Sequence, residues 1–373
     1  MTGKPVIGVI GLGTMGLGIA QLYAQAGHEV VATDSFAAAR ASARQRLKDG
    51  LDQRVKAGKL AEAERDAILA RLIIADDVSG MKDARLVIEA VVEDLAAKQA
   101  LFAEVERHVA ADAVLATNTS SLSVAAIMEK LTHVERGIGL HFFNPAPVMK
   151  LAELVLPPAA SRKAGDFARD VTASAGKTVI ACKDTPGFIV NRCARPFYGE
   201  ALAMLEEGRS ASEIDAAMLK AGYRLGPFSL IDLVGADINL AATKGLSTAM
   251  GGHPRYYVFA ALAEQVAQGR LGRKSGQGFI HPATPGEAPA DWQQIALRIE
   301  AALANEAACL SEESGLAPED IDTALKLGLN FPRGPFESAR AHGLDKIRAT
   351  LAELEATAPA HLKRRYTISR ALA

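Results

Sequence analysis

The stretch Val6-Ile7-Gly8-Val9-Ile10-Gly11-Leu12-Gly13-Thr14-Met15-Gly16 decides the fold. Its first five residues form a short apolar run rich in β-branched side chains, the pattern of a strand buried on both faces. Three glycines follow at once. Ile19, Ala20, Leu22, Tyr23 and Ala26 then recur at helical spacing until Gly27 closes the helix. His28-Glu29-Val30-Val31-Ala32-Thr33-Asp34 reads as a second strand ending on an acid, which completes a β-turn-α-β unit. The uncharged run from Pro5 to Gly27 has the length of a membrane span. Glycines at 8, 11, 13, 16 and 18 and the polar Thr14, Gln21 and Gln25 argue against one. A leader peptide is not expected either, for want of a basic segment followed by a small-residue cleavage site.

Working outward, residues 37–72 read as a helical pair broken near Gly58, with strands near Leu86–Val92, Val114–Thr117 and Gly137–His141. Strands alternating with helices imply a mostly parallel, doubly wound sheet. From Ile189 onward the chain reads as mostly helical, and residues 281–290, HPATPGEAPA, read as a connector. The helical part contains a repeat. Residues 200–228 and 306–336 share a Glu-Ala start, an Ile-Asp-x-Ala core and a Gly-Pro-Phe end. The expected architecture is α/β: an N-terminal Rossmann-like domain over 1–184, a first helical domain over 185–283 and a second helical repeat over 292–373.

Composition narrows the function classes. The 373 residues carry a formal net charge of -1, with 49% hydrophobic, 23% charged and 5% aromatic residues. That is a globular chain rather than a disordered one. It lacks the basic face and stacking rings of a general nucleic-acid binder. Cys182, Cys193 and Cys309 are too few and too scattered for a disulfide framework or a zinc site, and no close His/Cys pair or HExxH motif supports a metal. A cytoplasmic location without membrane or nucleic-acid partners is expected.

The turn Gly11, Leu12, Gly13, Thr14, Met15 and Gly16 predicts a dinucleotide site. The first glycine makes the turn, the second lets backbone approach a pyrophosphate, and the third lets helix and strand pack closely. The helix N-terminus supplies unpaired N–H groups to the phosphates. Asp34 would accept hydrogen bonds from the adenosine ribose, which favours NAD over NADP. Arg40, six residues on, leaves NADP disfavoured rather than excluded.

A second group of polar residues comes later: Asn118-Thr-Ser120-Ser-Leu, then His141-Phe-Phe-Asn144-Pro-Ala-Pro-Val-Met-Lys150-Leu-Ala-Glu153, then Asp184-Thr-Pro-Gly-Phe-Ile-Val-Asn191-Arg192. Taken as residues alone, they supply a histidine, a carboxylate and neutral hydrogen bonders near strand ends, where doubly wound folds place ligands. Structural readings stand beside this one. His141 suits a satisfied residue among aromatics. Ser120 or Ser121 suits a helix cap, and so does Asn191. Cys182 and Cys193 have no evident base and read as core.

These motifs, with GLGTMGLGIA, EAVVEDLAAK, GPFSLIDLVGAD and GRKSGQGF, resemble the 3-hydroxyacyl-CoA dehydrogenases over nearly the whole chain, and within them the bacterial 3-hydroxybutyryl-CoA dehydrogenase type. The resemblance implies reversible NAD-dependent oxidation of (S)-3-hydroxyacyl-CoA, short-chain by type, in fatty-acid β-oxidation or butanoate-type metabolism. It places the catalytic set on Ser120, His141, Glu153 and Asn191, with Ser120 and Asn191 on substrate oxygens. Cofactor contacts fall on Glu93, Lys98 and Asn144. His141 would exchange the hydroxyl proton while Glu153 holds its tautomer. The family's serine and lysine for coenzyme A fall here on Gly50 and Ala57, a departure that leaves Lys56 and Lys59 as neighbouring cations, or as solvated surface charge. The 274–279 stretch is a candidate frame for the thioester end. Two other readings are a dehydrogenase of a free hydroxy acid or sugar acid and a crystallin-like NAD-binding protein. The repeat admits a monomer with an internal pseudo-dimer, or a homodimer.

Overall fold

The structure, a computed structural model, describes residues 3–372 and divides into two compact units that meet between Thr185 and Pro186. The first unit runs β1 (Val6–Ile10), α1 (Thr14–Gln25), β2 (Val30–Thr33), α2 (Ala37–Lys56), α3 (Glu62–Ala70), β3 (Leu72–Ile74), β4 (Ala84–Glu89), α4 (Leu95–Glu106), β5 (Val114–Thr117), α5 (Val124–Met128), β6 (Gly137–Phe142), β7 (Leu151–Leu156), α6 (Arg162–Ser174) and β8 (Thr178–Lys183). The strands form one sheet in the order β3-β2-β1-β4-β5-β6-β7-β8. Every neighbouring pair is parallel except β6 and β7. The order reverses between β1 and β4, and a doubly wound sheet opens a ligand crevice at such a switch point. Ile7, Val9, Leu86, Ile88, Ala116, Ile138 and Leu140 are buried in one core with Ile19, Tyr23 and Leu47 from the helices. Each such valine, leucine or isoleucine contributes roughly 1.5–3 kcal/mol by leaving water.

The sheet is larger than the sequence suggests. β3, β7 and β8 extend it at both ends, and the strand expected over Leu86–Val92 stops at Glu89. The Glu89 side chain causes the stop, because its carboxylate accepts the Val91 N–H at 2.6 Å and turns the chain out of the ladder. α5 is capped by Ser123, whose side chain accepts from Ala126 N. The capping reading for Ser120 or Ser121 is therefore wrong. Asp184 supports the same helix start, accepting from Ser123 Oγ, Val124 N and Ala125 N.

The second unit is helical: α7 (Val190–Cys193), α8 (Arg195–Glu206), α9 (Ala211–Lys220), α10 (Pro227–Val234), α11 (Ala236–Ala249), α12 (Ala260–Ala267), α13 (Trp292–Ser314), α14 (Pro318–Leu329), α15 (Pro335–His342) and α16 (Leu344–Thr357). The long α13 is buried continuously from Ile299 to Leu310 and packs on α8, α9, α14, α15 and α16. Asn191 lies inside α7, whose N-cap is Ile189, so it caps no helix. The anchors of the repeat have a common physical cause. Asp215 of α9 accepts from Phe228 N and Ser229 N at the start of α10. Asp322 of α14 accepts from Phe336 N and Glu337 N at the start of α15. A Cβ on Gly226 or on Gly334 would sit 2.3 Å from that aspartate, so the Gly-Pro turn admits no side chain at either place.

Candidate active site

The glycine turn has two different kinds of glycine. Gly11 has φ +96°, and a Cβ on it would meet Ala90 O at 2.5 Å. A Cβ on Gly16 would meet Gly11 O at 1.7 Å. Both positions are closed by the protein itself. A Cβ on Gly13 would meet nothing within 4 Å, and Gly13 has φ -69°, which any residue adopts. The open space over Gly13 lies at the N-terminus of α1, where no side chain caps the helix and no acid occupies the first turn. Uncapped N–H groups and the positive end of the helix dipole suit a pyrophosphate there. Leu12 is buried, Thr14 is exposed and Met15 is half-buried.

Asp34 directly follows β2, and its carboxylate accepts Leu12 N at 2.7 Å and Phe36 N at 2.9 Å. It thus ties the turn to the second strand and retains lone pairs for a ribose. The Arg40 guanidinium is occupied by the Asp34 carbonyl at 2.6 Å. Thr33, Asp34, Arg40, Val78, Val92 and Leu101 line a cleft of about 450 Å³ beside the turn. These residues fit the adenosine half of NAD.

Glu89, not singled out in the sequence, organises the neighbouring strand ends. Fully buried, it accepts Lys98 Nζ at 2.5 Å and Thr117 Oγ1 at 2.7 Å besides Val91 N. An acid closing an otherwise apolar strand was the available signal. Lys98 is buried and also reaches Glu93 at 3.2 Å. Glu93 Oε1 in turn accepts Thr119 Oγ1, Ser120 N, Ser121 N and Ser121 Oγ, and so shapes the loop that carries Ser120. Burial works to raise the Glu93 carboxyl, but these donors and the Lys98 charge outweigh it and hold the group below the usual carboxylate range.

His141 and Glu153 stand directly opposite each other across the antiparallel pair β6–β7. Directly opposed residues point to the same face of a sheet. His141 Nδ1 and Glu153 Oε2 are 2.6 Å apart, with both side chains buried. Asn118 Oδ1 accepts Phe142 N at 2.9 Å and fixes the exit of β6. The following loop is held by Lys177, whose ammonium donates to the carbonyls of Ala146 and Met149. Asn144 is exposed in that loop. Cys182 on β8 is buried, and burial followed by the charges of Glu153 and Asp184 pushes its thiol well up, as suits a core residue.

Within the first unit the structure therefore gathers Ser120's loop with Glu93 and Lys98, and His141 with Glu153. Asn191 belongs to the second unit. Lys56 and Lys59 are exposed at the α2–α3 turn, Gly50 lies within α2 and Ala57 is its C-cap. In the 274–279 stretch Lys274 pairs with Asp237, and Asp232 takes the N–H groups of Phe279, Ile280 and His281.

Family sequence models match in both units. The 3-hydroxyacyl-CoA dehydrogenase NAD binding domain matches residues 6–185, and the C-terminal domain of the same family matches 187–281 and 295–372. Escherichia coli 3-hydroxyadipyl-CoA dehydrogenase is 43% identical over 280 residues, 74% of this chain, and the alignment spans 59% of that protein. A Mycobacterium tuberculosis 3-hydroxybutyryl-CoA dehydrogenase is 40% identical over 281 residues, 73% of this chain and 96% of that protein. The crystal structure of 3-hydroxybutyryl-CoA dehydrogenase from Escherichia coli K12 is similar with a TM-score of 0.90 at 31% identity, covering 99% of this chain and 97% of that one.

Proposed function

The chain belongs to the 3-hydroxyacyl-CoA dehydrogenase family, and on that premise we propose that it oxidises (S)-3-hydroxyacyl-CoA to 3-oxoacyl-CoA, reversibly and with NAD. The observation that carries the proposal is the buried His141–Glu153 pair, held at 2.6 Å in a sheet that also bears the glycine turn.

Removing hydride from an alcohol carbon requires loss of the hydroxyl proton. NAD, when bound, takes the hydride. With Nδ1 committed to Glu153, His141 accepts the proton at Nε2 and returns it in the reverse direction. Glu153 fixes the tautomer and stabilises the imidazolium as it forms. Ser120 and Asn191 orient the substrate oxygens, and such positioning lowers the barrier by paying orientation entropy on binding. Gly11–Gly16, Asp34, Glu93, Lys98 and Asn144 hold or frame the cofactor. Lys56 is the candidate contact for a coenzyme A phosphate.

Short-chain substrates are favoured, because two of the relatives above are named for 3-hydroxybutyryl-CoA. The name of the 43% identical relative adds 3-hydroxyadipyl-CoA to the series worth assaying. Three segments, 1–184, 185–283 and 292–373, remain the proposed organisation, with the last two as copies of one module that form an internal pseudo-dimer in a monomer. The three cysteines are buried and unbridged, which supports a reducing cytoplasm. No helix among the described residues is long and apolar enough to cross a membrane.

The test is loss of NADH absorbance with acetoacetyl-CoA, against free acetoacetate and NADPH as controls. Rapid, coenzyme-A-dependent loss is the expected result. Binding of NADH without turnover of acetoacetyl-CoA, or equal turnover of free acetoacetate, would overturn the substrate assignment.

A further inference from the structure

Two clusters of charge lie in the second unit and are built from the same parts, with the first arginine and both glutamates 106 residues apart and the second arginine and its tyrosine 110 residues apart. In the first, Arg192 donates from Nε to Glu306 at 2.7 Å and from Nη1 to Glu313 at 2.7 Å. In the second, Arg298 donates from Nε to Glu200 at 3.0 Å and from Nη1 to Glu207 at 2.6 Å. Each buried glutamate then takes a further arginine and the adjoining tyrosine. Arg255 and Tyr256 serve Glu306 at 3.3 and 2.6 Å, and Arg365 and Tyr366 serve Glu200 at 2.7 and 3.0 Å. Each arginine comes from one half of the unit and each glutamate pair from the other, so the clusters are reciprocal.

The symmetry fails at one telling position. The residue before Arg192 is Asn191, and the residue before Arg298 is Leu297. Asn191 sits on α7, a helix of four residues. One turn of helix does not sustain itself and depends on tertiary anchors for its geometry. Arg192 supplies such an anchor, since its guanidinium is fully buried and clamped by two carboxylates of α13.

We infer that Glu306 and Glu313 of the second helical half are positioning residues for the reaction: they hold Arg192, and through α7 they set where Asn191 meets the substrate. The inference rests on the reading of Asn191 as a substrate contact. The second half then does more than fill an interface, because it completes a site whose polar contact lies in the first half. The alignment with the Mycobacterium tuberculosis relative covers 73% of this chain.

The reciprocal cluster provides a matched control. Glu306→Gln and Glu200→Gln each remove one buried charge that faces two arginines and a tyrosine. Glu313→Gln and Glu207→Gln each remove one half-exposed charge, at 50% and 53% side-chain exposure, and so spare the fold if the buried variants do not. The four variants, with Asn191→Ala and the double variant Asn191→Ala/Glu313→Gln, are assayed for KM and kcat with acetoacetyl-CoA and for NADH affinity by fluorescence. The expected result is a fall in kcat/KM of about ten-fold or more in Glu306→Gln and Glu313→Gln, since small misplacements of a positioning group cost on this scale. NADH affinity is unchanged, Glu200→Gln and Glu207→Gln keep wild-type kcat/KM, and Glu313→Gln has no further effect once Asn191 is alanine. Equal losses on both sides of the symmetry, or none on the Glu313 side while Asn191→Ala is impaired, overturn the inference alone. A fully active Asn191→Ala overturns the reading of Asn191 and the inference with it.

Discussion

The first unit buries two acid–base pairs, one between a strand and a helix and one within the sheet, and they are built for opposite behaviour. Lys98–Glu89 joins an ammonium to a carboxylate whose two oxygens are also engaged by Val91 N and Thr117 Oγ1. His141–Glu153 joins a carboxylate to the one side chain whose ordinary titration lies near neutrality. The first pair is fixed and shapes strand ends. The second can change its charge during a reaction without being dismantled. Burial alone therefore does not mark a catalytic pair; the exchangeable proton does.

This contrast can be broken by substitution. His141→Gln should lower turnover by roughly 10²–10⁴-fold, the usual share of general acid–base catalysis, while NADH titration shows unchanged affinity. Retained turnover would move the proton exchange elsewhere. Lys98→Met leaves Glu89 buried without its cation and should cost about 3–5 kcal/mol of stability in urea unfolding. A variant that is equally stable but inactive would reverse the two roles. Thr117→Val removes one neutral donor from the same carboxylate and should cost about 1–3 kcal/mol, measured the same way.

The smallest effect is one of pH. The Glu93 carboxyl is held below its ordinary value of 4.5, chiefly against burial, by Thr119 and its neighbours. Between the native and unfolded values the unfolded chain binds more protons, so stability rises with pH through that window. The contribution of Glu93 is complete above 4.5 and disappears as the pH falls through the native value. Melting temperatures of wild type and Glu93→Gln should therefore differ near neutrality and converge in acid. A difference that persists unchanged in acid would show that shape rather than charge holds the Ser120 loop.

The glycine turn, Asp34 and the sheet's first half were legible because their cause is local: a steric demand at Gly11 and Gly16, a strand, a helix and an acid within one short segment. The charge clusters were not legible, because Arg192 and Glu306 meet only after α7 and α13 pack together. Strand β7 was missed for a related reason. Its run Leu151-Ala-Glu-Leu-Val-Leu has no alternation, since it is buried on both faces, and its antiparallel pairing with β6 is a tertiary fact. Ser123, rather than Ser120 or Ser121, caps α5 because the Glu93 carboxylate holds the two earlier serines in the preceding loop. Local signals cannot rank adjacent serines whose partners lie elsewhere in the chain.

The antiparallel ladder of β6 and β7 has a consequence for how this chain can vary. A strand's faces alternate with every residue, so moving β7 one step along β6 would turn Glu153 to the far side of the sheet. Moving it two steps would restore the face but bring Leu151 or Val155 opposite His141. No slip of one or two steps keeps the pair. Apart from Asn144, the turn over residues 143–150 is free to differ in sequence wherever the ladder stays in step. Heredity of the proton exchanger is thus carried by a frame, in the sense that a reading frame is, and mutations that shift it are lost even when they touch neither His141 nor Glu153.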